Sequence, residues 1–240
     1  MFNRLIVALV GRAEVNRMKN NKIEWRKVFA CEEQPELDFV LDGLLAGTVG
    51  SICAQGSTGK SFYGLELCLA ISAKNYVGMG IKVADPLTVA DATWLEGEVS
   101  EVLSSEELPP NSRRKFQAQL DYLIERKGHF MTSERKSTRT AYLTAEDPAD
   151  ILFSRLFNIA ADFDVDAQLK VMSRVDVYSL HGEGICLLNA KGEVDDKCRE
   201  GAARLREIAS GRRLLICDTL RRFSQAEENN SGHMTTLLGV

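Results

Sequence analysis

The sequence predicts an α/β fold with a mainly parallel sheet flanked by helices, on three observations. Short apolar runs alternate with segments of helical periodicity along most of the chain. One run, Thr48–Ala54, passes through a glycine-containing loop into a helical stretch. Two others, Thr140–Ala145 and Leu214–Cys217, lead into a carboxylate, Glu146 and Asp218 respectively.

With 240 residues, the chain can build one full α/β domain, alone or with a small insert. Hydrophobic residues at 45% and charged residues at 27% give the balance of a soluble globular protein. A net charge of −4 announces no nucleic acid, although a ring can keep basic residues in a channel while its outside stays acidic. The cysteines at 31, 53, 68, 186, 198 and 217 form no CxxC pair, and His129, His181 and His233 stand far apart. A disulfide framework and a zinc site are therefore disfavoured, and a reduced, cytoplasmic setting is expected.

In chain order, Leu5–Val10 is too short an apolar run for a signal peptide or a membrane span, which needs about 20 residues. It reads as a short strand or a disordered extension, within an N-terminal extension assigned to 1–36. A sharper expectation is a translation start at Met18, leaving Met1–Arg17 outside the fold, which the intact mass of protein made from its native start region would test. The main domain is expected over 37–240. Within it, Thr48–Ala54 reads as a buried strand, and Lys60–Ala73 as a helix carrying Leu65, Cys68, Leu69 and Ser72 at helical spacing.

Residues 75–139 read as an insertion at the edge of the core, partly mobile, with one amphipathic helix over Ser112–Arg126. Thr140–Ala145 is a strand. A helix then runs to about Ala161, with Asp147 as its N-cap and Pro148 as its first residue. Val175–Leu180 and Ile185–Leu188 are short strand candidates, Val194–Ser210 is a helix stopped by Gly211, and Arg213–Asp218 is an apolar strand.

The chemistry is concentrated in Ala54-Gln-Gly-Ser-Thr-Gly-Lys-Ser61, a relaxed form of the Walker A pattern with Ala in place of the first Gly. In such a loop, successive N–H groups cradle phosphates and the positive end of the next helix stabilises their charge. Gly56 and Gly59 allow close approach, Ser57 and Thr58 complete the cradle, Lys60 reaches the terminal phosphates, Ser61 ligates Mg²⁺, and Phe62 follows directly. Leu214-Leu-Ile-Cys-Asp218 has the form of a Walker B strand, with Asp218 holding Mg²⁺ directly or through water. Glu146 ends a strand at the same edge and is the candidate to orient or deprotonate the attacking water; its alternative role is to begin the next helix.

Beyond the loop, Leu37-Asp-Phe-Val-Leu, Leu45-Ala-Gly-Thr-Val-Gly, Tyr142-Leu-Thr-Ala-Glu-Asp-Pro, Asp218-Thr-Leu-Arg-Arg-Phe and Glu227-Glu-Asn-Asn-Ser-Gly complete a set of motifs. Together they resemble RepA-type plasmid replicative helicases, hexameric ring ATPases with a RecA-like P-loop fold. The resemblance covers roughly 37–73, 140–160 and 205–232, and fails across 75–139. It implies ATP and Mg²⁺ as ligands, single-stranded DNA as a partner and a homo-oligomeric ring, with no membrane. By motif it makes Lys60 and Ser61 the phosphate and Mg²⁺ ligands, Glu146 the catalytic carboxylate and Asp218 the Walker B acid. Arg155 falls where the family also has an arginine, either beside the nucleotide or in a local ion pair.

The family continues with a further strand carrying γ-phosphate sensors and an arginine finger, whereas this sequence stops at Val240. A fold truncated at its C-terminus is therefore expected. Three readings stay open at this level: a working ATPase motor, a nucleotide-binding regulatory module with little turnover, and a recombinase-like ATPase.

Overall fold

The computed structural model describes residues 2–8, 26, 29, 37–41, 43–55, 58–73, 87–131, 138–183, 185–225 and 233. Its centre is a five-stranded sheet in the order β4-β1-β7-β5-β6. The strands are β1 (Phe2–Ala8), β4 (Val49–Gln55), β5 (Thr140–Thr144), β6 (Val175–Ser179) and β7 (Leu214–Asp218). A two-stranded hairpin of β2 (Phe39–Leu41) and β3 (Leu44–Leu45) stands apart from it.

Strands β5, β6 and β7 pair in parallel, which gives the expected α/β class. β1 pairs antiparallel with both β4 and β7. β4 therefore runs in the same direction as β7, β5 and β6, and the C-terminal ends of these four strands share one edge. The candidate strand within Leu5–Val10 thus forms, displaced toward the N-terminus, and residues of the 1–36 extension contribute an inner strand.

Burial on both faces accounts for the continuous apolar character of β5 and β7, all of whose residues are buried. Because side chains alternate, Tyr142, Leu214 and Ile216 face one side. There they meet α1 (Lys60–Ser72) and Leu152 of α4 (Ala149–Ile159). Ala141, Leu143, Leu215 and Cys217 face the other side, against Ala209 of α6 (Asp196–Ala209) and Leu220 and Phe223 of α7 (Leu220–Phe223). α1 is apolar almost all round because it is covered twice. Beyond the sheet, Leu69 meets Phe163 and Ala167, the latter on α5 (Val165–Arg174).

The segment read as an insertion at the edge of the core is folded where it is described. α2 (Val89–Ser104) and α3 (Pro110–Glu125) pack with α5 around Leu87, Ala92, Leu95, Leu123 and Leu169. The Glu/Ser-rich stretch starting at Glu96 is mostly helix because its polar residues occupy the outer face while Leu95 and Val99 are fully buried. Thr88 and Asp91 form a capping box at the start of α2, and Asp91 also binds Arg139 at 2.8 Å and Arg174 at 3.4 Å. Arg139 is thereby engaged in an intramolecular ion pair.

Two further expectations are corrected. Asp147 does not cap α4: the N-cap is Pro148 and no side chain caps it, because the Asp147 carboxylate pairs with Arg155. Ile185–Leu188 is not a strand; Leu188 makes a single parallel bridge to Ser224. α5 was not foreseen, although Asp164 is an ordinary N-cap accepting from Ala167 N–H at 2.7 Å. The helices expected over Lys60–Ala73, Ser112–Arg126 and Val194–Ser210 form within a few residues of those bounds.

Candidate functional site at the sheet edge

Strand β4 ends at Gln55, and Gly59 stands at the N-cap of α1 with φ 87°, a left-handed conformation that glycine adopts without strain. Gly56 and Ser57 lie outside the described residues. The Gln55 carbonyl accepts from Lys60 Nζ at 2.7 Å and from Thr58 Oγ1 at 2.7 Å, so the lysine side chain reaches back to the end of β4. No side chain caps α1 and no acidic residue lies in its first turn. Among the described residues, no carboxylate of its own first turn therefore competes for the N–H groups and the positive dipole end of α1.

Asp218 sits at the C-terminal end of β7, in register with Thr144 of β5. It is 1% exposed, and Cys217 before it faces the opposite side of the sheet, so Asp218 shares the α1 face with Tyr142. Tyr142 opposes Ile216, two residues before Asp218, which makes the tyrosine and the aspartate diagonal neighbours. The Tyr142 hydroxyl donates to Asp218 Oδ2 at 2.5 Å. Burial, reinforced by the Asp218 charge, drives the phenol pKa well above its usual value, so the tyrosine stays a neutral donor. Asp218 Oδ1 is buried without a hydrogen-bond partner.

Glu146 follows β5 at the same edge. Its Oε1 accepts from Thr219 Oγ1 at 2.8 Å, and its backbone carbonyl lies 3.2 Å from His181 Nδ1. The Asp218–Thr219 peptide is cis. Thr144 Oγ1 accepts from the N–H groups of Glu146 and Asp147, which holds the turn after β5. Arg155 pairs with Asp147, and its guanidinium lies 5.5 Å from the Phe62 ring centroid. Arg155 thus makes the local ion pair, with its guanidinium over the ring of Phe62 in the first turn of α1.

Among the sequence-derived candidates, Thr58, Gly59, Lys60, Ser61, Phe62, Glu146, Arg155 and Asp218 are described, and they gather at one edge of the sheet. Sequence reasoning missed Tyr142 and Thr219, which hold Asp218 and Glu146. The period-2 pattern of β5 would have placed Tyr142 on the Asp218 face; nothing local singles out Thr219.

Chemically, an uncapped helix N-terminus beside a lysine suits an anionic phosphate chain. Among the described residues, no group of three or more His, Cys, Asp or Glu side chains could hold a metal by itself. An orphaned carboxylate oxygen near a hydroxyl is nevertheless a fitting partial set for Mg²⁺, which takes one or two protein ligands and completes its shell from phosphate oxygens and water. No described helix is long and apolar enough to cross a membrane. No protein-family model matches the chain.

Proposed function

We propose that the chain is a P-loop ATPase of the RecA-like kind, resembling the hexameric replicative helicases, which binds ATP–Mg²⁺ at the shared C-terminal edge of β4, β5 and β7. The observation that carries this reading is the gathering of three separate segments at that edge. They are the glycine-turned start of α1 with Lys60 and Ser61, buried Asp218 with its unpaired oxygen, and Glu146 held by Thr219.

In this reading, the α1 N–H groups and Lys60 bind the phosphates, and Lys60 exchanges its contact to the Gln55 carbonyl for a charge-assisted one. Ser61 and Asp218 hold Mg²⁺, which neutralises charge on the transferring phosphoryl group when bound. Glu146 orients the attacking water and accepts its proton, kept in place by the Thr219 hydroxyl. Phe62 and Arg155 offer a flat, partly exposed cation–aromatic pair beside the loop, suited to the nucleotide base. The expected partners are single-stranded DNA and further copies of the chain in a ring.

ATP turnover by the purified chain, with and without single-stranded DNA and beside Lys60→Ala, tests the proposal. The expected result is DNA-stimulated turnover that the mutant loses together with tight nucleotide binding. Retained nucleotide affinity in Lys60→Ala would sink the assignment of the loop. Binding without turnover would leave a nucleotide-binding module in place of the motor.

A further inference from the structure

Tyr142 is fully buried in the core between α1 and the sheet, yet its hydroxyl serves a residue of the proposed site. It donates to Asp218 Oδ2 at 2.5 Å. A phenylalanine would fill the same apolar volume, so packing alone does not call for the hydroxyl. Asp218 accepts this bond on one oxygen while the other oxygen is buried without a partner. The two oxygens of one carboxylate are thus differentiated by a single neighbour.

We propose that Tyr142 is a positioning residue for the cation of the proposed ATP site: its hydroxyl holds Asp218 Oδ2 and leaves Asp218 Oδ1 as the oxygen available to the metal. The inference rests on the P-loop reading above and extends it to a residue that touches neither the nucleotide nor the metal. The physical basis is that of outer hydrogen-bond partners in general, which fix the orientation of a ligand and whose loss typically costs about 10- to 100-fold in metal affinity. The core position supplies the rigidity: a ring packed against α1, Leu214 and Ile216 cannot follow the carboxylate if it turns.

The test is Mn²⁺ binding, followed by loss of the free-ion electron paramagnetic resonance signal in the presence of a non-hydrolysable ATP analogue. Wild type, Tyr142→Phe, Asp218→Asn and the double variant are compared. Tyr142→Phe is expected to weaken Mn²⁺ binding about 10-fold or more, with affinity for the analogue in EDTA within about twofold of wild type. In the Asp218→Asn background the same change is expected to add nothing, because its effect passes through that carboxylate. Unchanged Mn²⁺ affinity in Tyr142→Phe, or an equal loss of analogue binding in EDTA, overturns the inference, the latter by showing a general structural role. Wild type failing to bind Mn²⁺ and analogue, or binding them independently of Lys60, overturns the P-loop reading itself and the inference with it.

A measurement on unsubstituted Tyr142 guards against a variant that does not fold. With ¹³C-labelled tyrosine, the Tyr142 Cζ resonance is assigned by elimination, replacing the other four of the five tyrosines one at a time. It should shift when Mg²⁺ is added to the analogue-bound protein, and a resonance that stays in place overturns the inference.

Discussion

Glu146 occupies a half-buried position, with one carboxylate oxygen tied to Thr219 and its backbone N–H to Thr144. A residue that merely began α4 would not require the Thr219 contact, since α4 starts three residues later at Ala149. Glu146→Gln preserves the shape and the acceptor for Thr219 but removes the base. Turnover is expected to fall at least about 100-fold with nucleotide binding unchanged, read by steady-state hydrolysis beside equilibrium binding. Joint loss of both would assign Glu146 a structural role.

At the same scale, the cysteines divide by environment. Burial pushes the Cys68 and Cys217 thiols up from their usual 9.0 to about 12, while Cys53 is exposed. A maleimide at pH 8 is expected to modify Cys53 quickly and the two buried thiols only on unfolding. Because the folded pKa values lie above the unfolded ones, the neutral thiol favours the fold. That contribution is complete below pH 9 and is lost as the pH rises toward 12, so a thermal melt series should show the midpoint falling across that window. An alkaline midpoint that stays level would contradict the burial.

Elements are joined by a few polar contacts as well as by apolar faces. Asp91 combines three duties: it accepts from the Thr88 N–H in the capping box, from Arg139 and from Arg174, the last fully buried. Through it the start of α2, the approach to β5 and the end of α5 share one carboxylate. Removing one member of a buried ionic group costs about 3–5 kcal/mol. Asp91→Ala is therefore expected to lower the thermal midpoint by roughly 6 °C or more for a chain of this size. A drop under about 2 °C would show that the capping box and ion pairs carry little. A second tie is the two-pronged contact of Arg213 with Asp38, at 2.7 and 2.6 Å, which holds the β2–β3 region against the start of β7.

At the scale of the molecule, the unusual feature is β1. It lies between the strand leading to the phosphate-loop candidate and the strand carrying Asp218, and runs opposite to both. Val7 opposes Gly50 on one side and Ile216 on the other, so a proline there would remove a donor from an inner strand. Val7→Pro is expected to destabilise the sheet by loss of a ladder hydrogen bond, read as a drop in the thermal midpoint and broadened unfolding. An unchanged melt would show that the sheet holds together without this strand.

The sequence by itself determined the elements whose information is local. Strand, loop and helix across 49–72 were legible because an apolar run, a glycine and a helical stripe are consecutive. The edge carboxylates Glu146 and Asp218 were legible because each follows a buried strand. The tertiary structure alone decided which strands are neighbours, since pairing of β1 with β4 and β7 joins residues more than 40 and 200 positions apart and depends on where the chain returns. It also decided that Asp147 binds Arg155 rather than capping a helix, and that α2 and α3 pack on α5. Tyr142 shows the difference most plainly. Its sequence neighbours make it an ordinary strand aromatic, and only the parallel register of β5 with β7 brings its hydroxyl to Asp218. Periodicity sets the face a side chain occupies; the partner it meets there is set by packing between segments far apart in the chain.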